Sequence, residues 1–167
     1  MNDFSIEPLT SRTVESLARL CVELWPDSTL QEEVANGHAI VASEKETAYL
    51  VKIQHQYVAF LHLTLRFEYV EGADDLPVAY VEGIYVKAPY RHLGVGRKLI
   101  EKGEEWARQK GCMLLASDTE VGNEASIEFH AKSGFEEANR VVCFVKLLGP
   151  AHSKCKQYTA EVDTTYF

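Results

Sequence analysis

Residues 81–96 constrain this chain more than any other stretch. Val81-Glu82-Gly83-Ile84-Tyr85-Val86 is a β-branched and aromatic run of strand type, and Arg91-His92-Leu93-Gly94-Val95-Gly96 follows it, opening an amphipathic helix over residues 94–110. Glycines let a backbone turn tightly with its N–H groups convergent, and a helix N-terminus adds partial positive charge. Together they have the makings of a pyrophosphate site. A strand-to-helix turn that only needs flexible φ is the plainer alternative. Arg91 and Arg97 flank the glycines, which favours an anion, and the absence of a following Lys-Ser/Thr pair excludes a nucleotide-hydrolysing P-loop.

The surrounding pattern sets that unit in context. Residues 4–9 alternate as a half-buried strand does, and Val14, Leu17, Leu20, Cys21 and Leu24 recur at helical spacing up to Pro26. A second helix is expected over residues 30–42, with a break near Gly37. Residues 47–53 and 57–67 read as an antiparallel hairpin and residues 77–86 as the next strand. In the helix after the glycines, Val95, Leu99, Lys102 and Trp106 line one side. Residues 112–116 read as a short strand buried on both faces, residues 123–132 as a helix, Phe135 as the start of a brief strand, and residues 140–148 as the last long one. This order makes the chain α+β (mixed α/β) and excludes a doubly wound Rossmann sheet or a TIM barrel. One domain is expected over residues 1–148, followed by a C-terminal extension, residues 149–167, without a pattern of either period.

Charge narrows the partners. With 17 Lys+Arg against 25 Asp+Glu the chain carries −8, and its pI is near 5.3. A field of that sign repels phosphate backbones and anionic lipid, so neither nucleic acid nor membrane is an expected partner, whereas a cationic small molecule is. The loop of residues 68–75 holds four carboxylates and no base, either as a wet turn or as a rim that attracts a polycation. Cys21, Cys112, Cys143 and Cys155 form no CxxC pair, and Cys112 and Cys143 sit in apolar runs where a small buried hydrophobe is expected. A reducing cytoplasm fits this usage. The N-terminus lacks a basic segment followed by an apolar one, and no run approaches the ~20 apolar residues of a membrane span, so a cytoplasmic protein is expected. His38, His55, His62 and His152 have no metal-ligand spacing and no GxSxG elbow occurs, so no metal and no serine-hydrolase chemistry is expected.

Residues 83–96, running Gly83-Ile84-Tyr85-Val86-Lys87-Ala88-Pro89-Tyr90-Arg91-His92-Leu93-Gly94-Val95-Gly96, resemble the signature of the GNAT superfamily of acetyl-CoA-dependent N-acetyltransferases, whose loop reads Gln/Arg-x-x-Gly-x-Gly/Ala. Residues 123–135, from Asn123 to the Gly134-Phe135 pair, resemble its second block, and the likeness follows element order over residues 4–146. Within the superfamily, Leu24-Trp25-Pro26, Ala116-Ser117-Asp118-Thr119 and Gly134-Phe135-Glu136-Glu137 are similar to the aminoglycoside 6'-N-acetyltransferases. The resemblance implies a GNAT-like fold, with a central twisted, mostly antiparallel sheet, a splayed parallel strand pair and helices on both faces. It also implies acetyl-CoA as cosubstrate, an aminoglycoside acceptor and a homodimer. The alternatives are a GNAT acting on another small amine, polyamine or peptide, and an acyl-CoA-binding sensor without turnover.

By the same resemblance the pantetheine arm lies between the strand of residues 82–86 and that of residues 112–116. Ile84, Tyr85 and Val86 then bind the cofactor through the main chain, with the Ile84 N–H facing the thioester oxygen. Arg91, His92, Leu93, Gly94, Val95, Gly96 and Arg97 would hold the pyrophosphate, and Asn123 would bond the pantetheine or cap its helix. Glu82 shares a strand face with Ile84 and Val86 by the period of two, which places it beside the acetyl group as a candidate catalytic base. Asp118 ends the neighbouring strand and is a candidate catalytic residue across the cleft, or a helix cap. Many GNAT enzymes carry a tyrosine facing the CoA sulfur. Counting back from Gly134-Phe135 puts His130 there, as a proton donor to the thiolate or a packing residue. Trp25, Tyr69 and Asp75, together with Glu82 and Asp118, are the candidate acceptor-binding residues. One carboxylate cannot easily both anchor an ammonium and deprotonate it. At ~4 Å and an effective dielectric constant of ~20 the attraction is about 4 kcal/mol before screening, and it stabilises the protonated amine. A polyamine held at several other ammonium groups resolves the conflict.

Overall fold

Five strands pair in sequence order in a computed structural model that describes residues 4–149: β1 (Phe4–Pro8), β2 (Glu46–Ile53), β3 (Gln56–Arg66), β4 (Val78–Val86) and β5 (Leu115–Ser117). The first three pairings are antiparallel and β4–β5 is parallel. Helices α1 (Val14–Leu24) and α2 (Leu30–Ala42) cover one face, packing Leu17, Leu20, Cys21 and Ile40 on Ala48, Leu50 and Phe60. On the other face α3 (Val95–Gln109) lays Val95, Leu99, Ile100 and Trp106 against Val51, Leu61, Leu63 and Val81. The last helix, α4 (Glu124–Lys132), adds Phe129 to that second core. The mixed α/β class, the mostly antiparallel sheet with its parallel pair and the helices on both faces all agree with the expected architecture.

Local chemistry explains the helix boundaries. Thr29 and Glu32 form a reciprocal capping box that starts α2. No break occurs at Gly37, because its role is contact: a Cβ there would lie 2.7 Å from Val14 Cγ1, so glycine allows α1 and α2 to close on each other. Lys102 is half-buried beside Tyr49, 5.8 Å from its ring centroid, with its ammonium 2.7 Å from Glu105, and Gly103 faces Leu61 and Leu63.

Two strand expectations are corrected. Residues 112–116 are not a continuously buried strand: β5 is Leu115–Ser117, Cys112 is buried, and Met113 is 83% exposed. Neither Phe135 nor residues 140–148 form a strand, and Val142, Phe144, Val145 and Leu148 are 78–90% exposed, with Cys143 exposed among them. Apolar and β-branched residues favour a strand only where a neighbouring strand takes up their backbone groups, and β5 offers no more than a three-residue edge. Residues 150–167, which include His152, Cys155 and all but the first residue of the expected extension, lie outside the described residues.

A β-bulge decides where the chemistry faces. Leu63 stands opposite Val81 and His62 opposite Gly83, which leaves Glu82 as the extra residue on β4. Beyond the bulge Ile84 and Val86 pack into the core on the α3 side, whereas Glu82 borders a cavity on the α1–α2 side together with Leu17 and Trp25. The expectation that Glu82 shares a face with Ile84 and Val86 is therefore wrong, since the period of two holds only along an uninterrupted strand.

Candidate active site

The splay between the parallel strands creates an open row of main-chain groups. β4 and β5 pair only at Ala79↔Leu115, Tyr80↔Ala116 and Val81↔Ser117, and β4 then runs on to Val86 without β5. Lys87 N–H donates to the Val58 carbonyl at 2.9 Å, so by alternation Tyr85 and Gly83 also bond to β3, while Ile84 and Val86 turn their N–H and C=O groups to the open side. Arg91 Nε meets the Val86 carbonyl from that side at 2.9 Å. Tyr85 does not present itself to the gap; its hydroxyl donates to Glu23 of α1 at 3.0 Å.

At the end of this row the chain makes a one-turn 3₁₀ helix (Ala88–Tyr90) and then adopts left-handed backbone at His92 (φ 62°) and Gly94 (φ 81°), the N-cap of α3. Arg91, His92, Leu93 and Gly94 are exposed, and Val95 buries its side chain, leaving only its main chain to the turn. The amides of the first turn of α3 have no helical acceptor; the first helical bond here runs from Lys98 N–H to the Gly94 carbonyl at 3.1 Å. That turn contains no acid, and Arg97 and Lys98 are basic. Cations at a helix N-terminus oppose its dipole by a few tenths to about 1 kcal/mol each, a placement that makes sense when an anion occupies the end. Gly96 serves packing, because a Cβ there would come within 2.9 Å of Phe129 Cε2 and push α4 from α3.

The other jaw is β5 and α4. Asn123 Oδ1 accepts the Ser126 N–H at 3.1 Å, so Asn123 caps α4. His130 Nδ1 lies 2.7 Å from the Ser126 carbonyl, which can only accept, and so carries the proton; in the neutral ring Nε2 then accepts from the Ser117 hydroxyl at 2.8 Å. Phe129 and Phe135 hold the ring edge-on, at 5.6 and 5.1 Å between centroids. Ser117 was not singled out from the sequence, yet it ends β5 at the point where the strands part.

On the α1–α2 side a cavity of about 450 Å³ is bordered by Trp25, Glu33, Asn36, Glu46, His62 and Glu82 among others. Trp25 lies on bare backbone, since a Cβ on Gly83 would meet its Cη2 at 2.7 Å. Arg66 Nη2 donates to both oxygens of Glu82, at 3.0 and 3.2 Å, and its guanidinium stacks 3.3 Å from the Tyr80 ring centroid. Burial above all, with help from a hydrogen bond to Asp118, pushes the Tyr80 phenol up to about 12, so it remains a donor to that carboxylate at working pH. Glu82 and Asp118 are thus joined through Arg66 and Tyr80. Asp118 is exposed and caps no helix. Neither Asp118 nor Tyr69 or Asp75 borders the cavity: the Tyr69 hydroxyl donates to Glu71, which also accepts from Asn139 at 2.8 Å. Sequence reasoning missed Glu33 and Glu46, which border the cavity, and Arg66, which holds Glu82 from beside it. Parity was the available signal, because Glu46 and His62 fall on the face of Ala48 and Phe60, and Glu33 lies one helical turn before Gly37.

Comparison with known proteins agrees with this geometry. The profile of the acetyltransferase (GNAT) family matches residues 11–135. An aminoglycoside N(6')-acetyltransferase type 1 of Serratia marcescens is 41% identical over 127 residues, 75% of this chain and 87% of its own. The enzyme of the same name from Acinetobacter haemolyticus is 35% identical over 85% of this chain and 97% of its own. Among solved structures, AAC(6')-Iy in complex with the bisubstrate analog CoA-S-monomethyl-acetylneamine superposes with a TM-score of 0.84 at 30% identity, covering 87% of this chain and 99% of that one. With the family's profile spanning most of its length and with the splayed strands and glycine turn in place, the chain belongs to the acetyltransferase (GNAT) family.

Proposed function

We propose that this protein is an aminoglycoside 6'-N-acetyltransferase that moves the acetyl group of acetyl-CoA directly to the 6'-amine. The observation that carries the reading is the carboxylate-bordered cavity opening beside the unpaired stretch of β4. It places a cation-binding hollow next to a main-chain row able to align a pantetheine arm. Relatives and structural neighbours that act on aminoglycosides support the acceptor.

Acetyl-CoA supplies the acyl group as a thioester, whose carbonyl carbon takes the amine and whose sulfur leaves. The Ile84 N–H is the hydrogen-bond donor for the acyl oxygen, the Val86 N–H orients the arm, and the amides of residues 94–97, with Arg91 and Arg97, hold the pyrophosphate. His92 and Leu93 shape the turn by their backbone. Glu82 accepts the proton lost by the attacking amine through water, and Arg66 fixes its orientation. His130, when it carries a second proton on Nε2, gives it to the Ser117 hydroxyl as that hydroxyl passes its own proton to the departing sulfur; the ring is left neutral, and solvent restores the proton. Asp118 and Tyr69 with Asp75 form the outer acidic rim on the approach of the polycation, and Trp25 offers its ring to a sugar face.

The experiment is an acetyl-CoA consumption assay on aminoglycosides with a 6'-amine and on their 6'-hydroxyl counterparts. Turnover is expected only with the former, and its KM should rise with ionic strength as the Debye length falls from ~10 Å at 0.1 M to ~3 Å at 1 M. Equal turnover of both sets would move the reading to another amine acceptor, and binding of acetyl-CoA without any turnover would move it to a sensor.

A homodimer and a cytoplasmic location complete the reading. Among the described residues β5 has an unpaired edge, and with the exposed apolar residues Val142, Phe144, Val145 and Leu148 it supports a second copy as cover; sedimentation equilibrium is expected to give twice the chain mass. Unpaired, buried thiols at Cys21 and Cys112 suit a reducing compartment, the one that also supplies acetyl-CoA. Among the described residues no helix is long and apolar enough to cross a membrane.

A further inference from the structure

Glu33 is out of place for an ordinary helix-start carboxylate. Acids near a helix N-terminus favour the dipole from the surface, and Glu32 already does this as part of the capping box with Thr29. Glu33, one residue on, is only 9% exposed and borders the cavity. Burying a carboxylate is costly unless a cation or several good donors meet it. Among the described residues no Lys, Arg or His stands within ion-pair distance of Glu33. Its contacts are the Asn36 amide, at a long 3.4 Å, and the Cys21 thiol. Burial, and then the Glu33 charge itself, push that thiol up to about 12, so it stays a neutral donor and brings no compensating charge.

The same hollow contains Glu46, whose Oε2 is 3.1 Å from His62 Nε2, and Glu82, held by Arg66. Across β2, β3 and β4 the register aligns these groups in one polar row: His62 is opposite Ala48, two residues beyond Glu46 on the same face, and next to the bulge that carries Glu82. No Lys or Arg borders the cavity, and Trp25 supplies a flat apolar wall. Such a space suits a ring system with a hydrophobic face and ammonium groups on its rim.

We propose that Glu33 and Glu46 form an ammonium subsite for the acceptor's non-reacting amines, so that the enzyme selects acceptors with further amines beyond the one it acetylates. This rests on the aminoglycoside reading and assigns a division of labour within it. Glu82 meets the reacting amine, which must lose its proton, while Glu33 and Glu46 hold amines that stay charged, so anchoring and deprotonation fall to different carboxylates.

The test compares two acceptors on the full-length enzyme: a multiply charged aminoglycoside with a 6'-amine, and 6-amino-6-deoxyglucose, a sugar with one amine of the same kind. Glu33→Gln keeps the size and hydrogen-bonding shape of the side chain but removes its charge. With the aminoglycoside its KM is expected to rise about tenfold, in line with the loss of a charge-assisted hydrogen bond, with the loss falling on KM rather than kcat. With the single-amine sugar KM should change less than twofold. Glu46→Gln should behave alike, and both variants should bind acetyl-CoA by calorimetry as the parent does, which shows that they fold. A Glu33→Gln enzyme whose KM is unchanged for the aminoglycoside, or rises equally for both acceptors, overturns the subsite. Failure of the parent enzyme to acetylate any aminoglycoside overturns the underlying reading instead, so the two failures are distinct.

Discussion

Acetyl-CoA affinity is expected to drop about a hundredfold in Gly94→Val, measured by calorimetry. Gly94 sits at φ 81°, and a β-branched residue held there costs roughly 1–2 kcal/mol or more, so the turn relaxes to a different backbone. Relaxation aims the amides of residues 94–97 away from a common point, and each lost bond to a charged group is worth about 1.5–3 kcal/mol. A Cβ at this position has no neighbour within 4 Å, so the expected effect comes from the backbone conformation of the turn rather than from a collision at Cβ, and an unchanged circular dichroism spectrum checks that the fold is kept. Gly96→Val is a poorer probe, because it collides with Phe129 and disturbs the α3–α4 contact as well. Undiminished affinity in Gly94→Val removes the pyrophosphate from this turn.

In Glu82→Gln, kcat should fall about a hundredfold while acetyl-CoA affinity holds, the scale expected when a positioned proton acceptor is lost. Glutamine still offers Arg66 one oxygen, so the side chain keeps its orientation and loses mainly basicity and charge. Single-turnover acetyl transfer at saturating acceptor reads this step without contribution from binding. A rate within twofold of the parent assigns the proton to another acceptor.

The helices and the first four strands were legible because their signals are local: the spacing of Leu17, Leu20 and Leu24, the residues of the hairpin, and Gly94 at the head of α3. Non-local features were not. The bulge that turns Glu82 away from Ile84 arises from how β3 and β4 register against each other, and neither strand alone encodes the slip. Residues 140–148 read as a strand from composition, but a strand needs a partner, and the short β5 supplies little edge. At the site, the main-chain roles of Ile84 and Val86 came from the resemblance of residues 83–96 to the family's signature, not from the strand pattern itself. The acidic loop kept two readings open because charge alone does not say which way it faces: Glu71 is taken up by Tyr69 and Asn139, while carboxylates that border the cavity, Glu33 and Glu46, come from an amphipathic helix and a half-buried strand. Arg66 belongs to no motif in the sequence; stacking on Tyr80 is what fixes it against Glu82.

The bond between His130 and Ser117 has a consequence for how fast the enzyme can be loaded. Ser117 is the last residue of β5 to pair with β4, and its hydroxyl is tied to the ring that α4 presents. Phe129 and Phe135 both pack edge-on against that ring, so the apex of the fork between the strands is braced by three aromatic side chains and the bond to Ser117. Among the described residues the gap is thus held apart by side-chain contacts that need no ligand. A slot formed in advance spares the loop-ordering cost that slows binding to sites that must first assemble. Stopped-flow binding of acetyl-CoA is accordingly expected to give an association rate that rises linearly with ligand concentration, without a plateau set by a preceding rearrangement.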